Sequence, residues 1–242
     1  EGTELNSDNA VDYFSGNQVP MGTETIALAY SGHQFGHFNP QLGDGRALLL
    51  GQINDLQGNL RDIHLKGSGQ TVFSRNGDGL SALGPVIREY LLCEAMHKLG
   101  VPTTRALAAV TTGDQVYRET IKPGGIITRV AQGFIRIGTF QYFASRGKLE
   151  QIKQLADYVL RIHFPEFVND PSPYDRMLLE IAGRTAEMIA QWQAFGFAHG
   201  VMNTDNMSAL GLTIDYGPYG MLDVYDEDYT PNTTDLPGRR YA

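Results

Sequence analysis

The sequence predicts an α+β fold in two lobes, strand-rich over residues 1–132 and helical over residues 133–242. Two observations lead there. The first half is rich in glycine and in short apolar or alternating runs, whereas the longest helix-period patterns fall in the second half. No low-complexity tract and no repeat at a period of about 20–50 residues points to a solenoid or an array.

Arg46–Ile53 reads as a strand, because Ala47-Leu48-Leu49-Leu50 is a short apolar run behind two glycines. Asn54-Asp55 and Gly58-Asn59 supply turn chemistry. Arg61–Lys66 then alternates, with Ile63 and Leu65 on one side and Asp62, His64 and Lys66 on the other. Lys66 therefore projects from the polar face of a strand. Leu83–Leu99 reads as a helix stopped by Gly100 and Pro102, and it is apolar nearly all round, as a helix buried between other elements would be. Arg105–Thr112 and Gln115–Thr120 flank Gly113-Asp114, a two-residue hairpin turn, and Ile126–Ala131 is a further strand.

Beyond that point the period becomes helical. Leu149, Ile152, Leu155, Ala156, Val159, Leu160 and His163 form one pattern. Met177, Leu178, Ile181, Thr185, Met188, Ile189 and Trp192 form a second, running to about Phe197, with Trp192 and the methionines as core. A polar loop, His199–Asn206, a short strand at Leu210–Ile214 and Asp215-Tyr216-Gly217 follow. A cleft between the lobes is the expected site.

Composition narrows the function. The chain has 242 residues, enough for a sizeable core, and its 42% apolar and 19% charged residues are those of a globular protein rather than a disordered one. A formal charge of −8 argues against binding nucleic acid through a broad basic surface. The 14 Arg against five Lys favour bidentate anion contacts. Cys93 is the sole cysteine, so the chain forms no internal disulfide and no cysteine-based zinc site. No apolar run approaches the roughly 18 residues of a membrane span, and no secretory signal opens the sequence. It starts at Glu1 rather than Met and reads as a piece of a longer chain. The expected location is the bacterial cytoplasm, or an organelle if the source is eukaryotic.

Three features in a fixed order carry the chemistry. Gly43-Asp44-Gly45-Arg46 is a glycine-rich turn beside a strand. Lys66 lies on the next strand, followed by a helix bearing Glu89 and Glu94. The polar loop His199–Asn206 and then Asp215-Tyr216-Gly217 come last. This is the order of a protein kinase: glycine loop, strand lysine, helix glutamate, catalytic loop, metal-binding Asp-x-Gly. Glycines let backbone N–H groups approach phosphate, a lysine neutralises it, and a carboxylate holds the ammonium in place. Spacing alone leaves Glu89 and Glu94 as equal candidates for that carboxylate. Asn206 and Asp215 offer the hard oxygens that suit Mg²⁺ or Mn²⁺.

One departure is informative. In a kinase the loop His is followed two residues on by the base Asp and seven on by Asn. Asn206 fits, but the second residue after His199 is Val201, which accepts no proton. Either phosphotransfer is lost or the chemistry differs; the nearest carboxylate is Asp205. Arg129 and Arg136 sit among apolar neighbours and each needs an acid or a phosphate. Arg75-Asn76-Gly77-Asp78-Gly79 is a second glycine-rich loop, either plain surface or a phosphate clamp. His33 and His37, at i and i+4, could ligate a metal from a helix, but Gly32 and Gly36 weaken that helix and no third ligand is evident.

Tyr30-Ser-Gly-His-Gln-Phe-Gly36, Gln41-Leu-Gly-Asp-Gly-Arg46, His64-Leu-Lys-Gly-Ser-Gly-Gln70, Arg75–Gly79, His199-Gly-Val-Met-Asn-Thr-Asp-Asn206 and Ile214-Asp-Tyr-Gly-Pro218 together resemble the selenoprotein O (YdiU) family. The resemblance implies a kinase-like two-lobe fold, a pseudokinase in origin. It also implies an adenylyltransferase that moves AMP from ATP to Ser, Thr or Tyr hydroxyls of proteins (AMPylation), with ATP flipped so that its α-phosphate is attacked. Carried over by motif, Gly43, Gly45, Arg46, Lys66, Asp78, Gly79, Arg129, Arg136 and Asp215 bind nucleotide, and Glu89 orients Lys66. Asn206 and Asp215 hold Mg²⁺ or Mn²⁺, and Asp205 accepts the proton. ATP and protein substrates are the implied partners, with no nucleic acid and no membrane. Where some members carry a Cys, Thr230-Pro231-Asn232 has Pro231, so redox control there is unsupported. The other readings are a conventional phosphotransferase, against which Val201 speaks, and a non-catalytic ATP-binding module, against which the retained Lys66, Asn206 and Asp215 speak.

Overall fold

The computed structural model describes residues 7–235. In chain order the elements are α1 (Ser7–Phe14), β1 (Gly32–Gln34), β2 (His37–Asn39), β3 (Ala47–Asn54), β4 (Leu60–Lys66), β5 (Ser81–Ala82), α2 (Leu83–Lys98), β6 (Arg105–Tyr117), β7 (Ile121–Ala131), α3 (Ile137–Ala144), α4 (Leu149–His163), α5 (Pro173–Ala194), β8 (Phe197–Ala198) and β9 (Gly220–Met221). The architecture is α+β. The chain divides into two compact units: residues up to 29, 43–99 and 103–133 form the first, and 30–42, 100–102 and 134 onward form the second.

The first unit is built on an antiparallel sheet in which β3 pairs β4, β4 pairs β7, and β7 also pairs β5 and β6. Alternation in β4 works as the sequence predicts: Ile63 and Leu65 bury against Leu50 and Ile126. The other side of the strand is not solvent, for His64 is fully buried and Asp62 nearly so. Helix α2 packs on β6 and β7 through Val86, Glu89, Cys93 and Met96. It is not buried all round, because Ile87 and Leu91 are 44% and 62% exposed on the flank facing away from the sheet.

Two further expectations are corrected. Gly113-Asp114 does not reverse the chain; β6 runs through it, and the register slips between Thr111 and Gln115. Gly113 at φ +81° and the Thr112 hydroxyl, which accepts from the Asp114 amide, make it an irregularity inside a long strand. The reversal falls at residues 118–120, where Arg118 N–H donates to the Thr120 carbonyl. Leu210–Ile214 is not a strand either. Ser208 turns the chain by accepting the Leu210 amide on its hydroxyl, Gly211 takes φ +70°, and Thr213 bonds the Pro102 carbonyl instead of a sheet partner.

In the second unit, α4 and α5 close over Ala209 and Leu210, with Val159, Leu160, Phe164, Met177 and Ile181 in the core. Trp192, Met177 and Met188 are buried as their spacing requires. His33 and His37 lie on a hairpin rather than a helix, since β1 pairs β2 with Gln34 opposite His37.

Candidate active site

Each unit assembles its own cluster of the singled-out residues. In the first, β4 presents His64 and Lys66 on one face because they are two residues apart, and the antiparallel register sets Arg129 of β7 directly opposite His64. Glu89 on α2 joins the set: Lys66 Nζ donates to Glu89 Oε2 at 2.6 Å, and Arg129 Nη1 donates to Oε1 at 3.2 Å. Glu94 faces elsewhere and holds Arg105 with two hydrogen bonds at 2.8 and 2.7 Å, so of the two glutamates it is Glu89 that meets Lys66. Arg129 is 1% exposed, and Glu89 and His64 compensate its burial.

The glycine-rich turn precedes β3. Gly43 has φ +132°, and a Cβ there would strike the Phe73 ring; a Cβ on Gly45 would come within 2.8 Å of the Phe73 carbonyl. Close packing under Phe73 therefore demands both glycines. The Asp44 and Gly45 amides donate to the Leu28 and Gly43 carbonyls, while Arg46 is exposed. Thr71 and Ser74 hydroxyls donate to the Asp44 and Gly45 carbonyls at 2.6 Å each, so the loop leading to Arg75–Gly79 is bolted to this turn. Gly79, at φ +71°, bonds Gly69 through its carbonyl. Asp78 is gripped by both Nη groups of Arg118, at 2.7 and 2.9 Å, which hold its carboxyl down to about 2.

In the second unit, residues 135–137 pair with 207–209, through Ile137 N–H to Met207 O and Ala209 N–H to Ile135 O, both 2.9 Å. That pairing carries Arg136 into the polar loop. Its Nη1 donates to the Asp205 carbonyl at 2.7 Å and to the Asp215 carboxylate, and its guanidinium stacks 4.5 Å over the Tyr30 ring. Asp215 adopts φ +57°, a conformation open to Asp and rare for bulkier residues. Asp205 is 5% exposed; Gln34 Nε2 donates to its Oδ2 at 3.1 Å, and its buried Oδ1 has no hydrogen-bond partner among the described residues. Burial pushes the Asp205 carboxyl above the usual range, opposed by Gln34 and Arg136.

The β1–β2 hairpin holds this loop. His33 N–H donates to Thr204 Oγ1 at 3.0 Å and Phe35 N–H to Asn203 Oδ1 at 3.0 Å. A Cβ on Gly32 would overlap the Asp205 carboxylate, so only glycine leaves it room. His199 is a structural residue: it is fully buried, stacks 5.1 Å from Trp192, and donates from Nε2 to the Ile214 carbonyl. Asn206 Nδ2 donates to the Val201 carbonyl at 3.0 Å, which leaves its Oδ1 as a hard oxygen donor. Among the described residues no three of His, Cys, Asp and Glu gather to hold a metal ion. Sequence reasoning passed over Asp44, Gln34 and Gly32 as individuals, and His64 as more than part of a polar face. Alternation with Lys66 was the signal for His64.

The first unit thus holds a glycine-rich turn and a paired strand lysine, and the second a buried Asp205 and a half-buried Asp215. Residues 1–242 match the family model described as "Protein adenylyltransferase SelO", and the chain belongs to that family. It is 59% identical over 226 residues to "Protein nucleotidyltransferase YdiU" of Rhizobium meliloti (strain 1021), covering 93% of this chain and 46% of that one. It is 55% identical over 236 residues to the protein of the same name from Bradyrhizobium sp. (strain ORS 278), covering 98% and 48%. The chain thus spans about half the length of the curated relatives it matches.

Proposed function

We propose that this chain carries the nucleotide-handling part of a protein adenylyltransferase with a kinase-like two-lobe architecture, in which a Ser, Thr or Tyr hydroxyl of a protein bonds to the α-phosphorus of ATP while the bond to the β-phosphate breaks and pyrophosphate leaves. Family membership supports nucleotidyl transfer. The observation that carries the finer reading is the pairing of Val201, in the place of a kinase base, with a buried Asp205 whose Oδ1 lacks a hydrogen-bond partner. A carboxylate oxygen left unsatisfied away from water is costly unless a ligand supplies its partner.

In this reading Gly43, Gly45, Arg46, Lys66, Asp78, Gly79, Arg129 and Arg136 contact ATP bound in the flipped orientation. The donor chemistry fits a divalent cation: Asn206 and Asp215 would hold Mg²⁺ or Mn²⁺ with two hard oxygens, leaving its other positions to phosphate and water. When bound, the ion supplies positive charge at the reacting phosphate. Lys66, fixed by Glu89, neutralises phosphate charge. Arg136 keeps the Asp215 carboxylate and the Asp205 backbone in one arrangement. Asp205 Oδ1 takes the proton of the acceptor hydroxyl, its basicity raised by burial.

The test uses ATP labelled at the α- or the γ-phosphate, an acceptor protein and Mg²⁺. Covalent α-label without γ-label supports AMP transfer; γ-label would make the protein a kinase and remove the argument from Val201. Asp215→Ala should lower transfer about 10³-fold and more than Asp205→Ala, because a loose transition state asks more of charge stabilisation than of a base. Equal losses would overturn that ranking.

A further inference from the structure

We propose that His64 is a positioning residue that ties the Gly43–Arg46 turn to the Lys66–Glu89–Arg129 cluster. Its functional weight rests on the nucleotide-binding reading above; the tie itself rests on geometry. His64 is fully buried, with Asp44 2%, Arg129 1% and Glu89 3% exposed around it. Its Nε2 lies 3.1 Å from Asp44 Oδ2 and its Nδ1 lies 2.9 Å from Arg129 Nη2.

A guanidinium offers only hydrogens, so His64 Nδ1 meets it with a lone pair. Nε2 then carries the ring proton and donates it to the Asp44 carboxylate. The hydrogen bonds therefore have a fixed sense: Lys66 and Arg129 both donate to Glu89, Arg129 donates to His64, and His64 donates to Asp44. A neutral imidazole satisfies both contacts, accepting from Arg129 and donating to Asp44. A protonated ring would set two donors against each other at Arg129. Asp44 also receives the Leu28 amide on its carboxylate at 3.3 Å, and its own amide bonds the Leu28 carbonyl. The imidazole thus ties the turn to the charge cluster through side chains, beside the backbone bond of 2.6 Å by which the Gly67 amide, next after Lys66, donates to the Arg46 carbonyl at the turn's far end.

Two substitutions cut the tie on different sides. In His64→Asn the amide oxygen reaches the place of Nδ1 and still accepts from Arg129, but nothing reaches Asp44. In His64→Gln the amide nitrogen reaches the place of Nε2 and still donates to Asp44. Amide hydrogen exchange read by mass spectrometry reports the Asp44 and Gly45 N–H groups, both bonded in the native turn. His64→Asn should speed exchange in residues 43–46 about tenfold, leaving residues 127–131 of β7 within about twofold of native. His64→Gln should leave the turn close to native.

Asp44→Ala approaches the same bond from the other end. It should loosen the turn at least as much, since the carboxylate also accepts the Leu28 amide, and adding His64→Asn to it should loosen the turn no further. A turn that exchanges at the native rate in both His64→Asn and Asp44→Ala, or turn and sheet loosened alike, would overturn the proposal. ATP affinity is read in parallel and should fall about tenfold in His64→Asn, a loss of about 1.4 kcal/mol. If the native chain binds no ATP, the nucleotide reading fails while the exchange data still decide the tie.

Discussion

The two charge clusters are built on opposite principles. Lys66, Glu89, Arg129, His64 and Asp44 stand on strands, a helix and one bolted turn, and each meets a partner of opposite sign or role. Arg136, Asp205 and Asp215 stand on loop and helix ends, and there one buried carboxylate oxygen goes unmatched. A carboxylate bonded on both oxygens, as Glu89 is, contributes rigidity, whereas one with an unmatched buried oxygen costs stability and leaves chemistry available. Substitution in the first cluster should therefore cost folding as well as binding, and in the second chiefly activity.

The largest effect expected on folding is at Glu89. Glu89→Ala leaves Lys66 and Arg129 without their shared carboxylate and should cost about 3–5 kcal/mol in urea unfolding. A loss below 1 kcal/mol would break the comparison. Asp205→Asn should do the reverse. Unfolding free energy should stay within about 0.5 kcal/mol of native or rise, because burial already favours the neutral acid, while AMP transfer falls about 10²-fold. An Asp205→Asn protein that unfolds easily would place the acid among the structural groups.

A titration outside both clusters calibrates them. Burial and the Arg184 charge press His163 down to about 4 from an ordinary 6.5. Between those values the unfolded chain binds a proton that the folded chain refuses, so stability falls as pH drops from 6.5 toward 4 and is unaffected above. Urea midpoints across that window should show the slope in the native protein and lose it in His163→Gln. The smallest effect belongs to Arg118 and Asp78, whose side chains are 40% and 39% exposed. Arg118→Ala should cost under about 1 kcal/mol and less in high salt. Because Asp78 is held down to about 2, that contribution is present above 3.8 and is lost as pH falls toward 2.

The long periodic elements were legible because one face of each is apolar. Helix α4 spans Leu149–His163 as its spacing implies, and β4 presents His64 and Lys66 together. Gly113-Asp114 misled because a Gly-Asp pair serves an irregular strand as readily as a hairpin, and only the partner strand decides which. His33 and His37 share a spacing with helical ligand pairs, but the flanking glycines and the pairing of β1 with β2 place them on strands.

Sequence by itself determined the α+β class and the order in which the glycine-rich turn, Lys66 and the polar loop follow one another, since these follow from local pattern and residue type. The Lys66–Glu89 pair, implied by resemblance but left open by spacing, is seen in the structure; tertiary structure alone decided that Glu94 goes to Arg105, that Arg136 reaches Asp205 and Asp215, and that Gly32 and Gln34 frame the Asp205 carboxylate. The hydrogen bond from Gln34 to Asp205 joins residues 171 positions apart. Side chains of equal charge and spacing compete for the same partners along a chain, and the competition ends only when packing fixes which of them come within a hydrogen bond's reach.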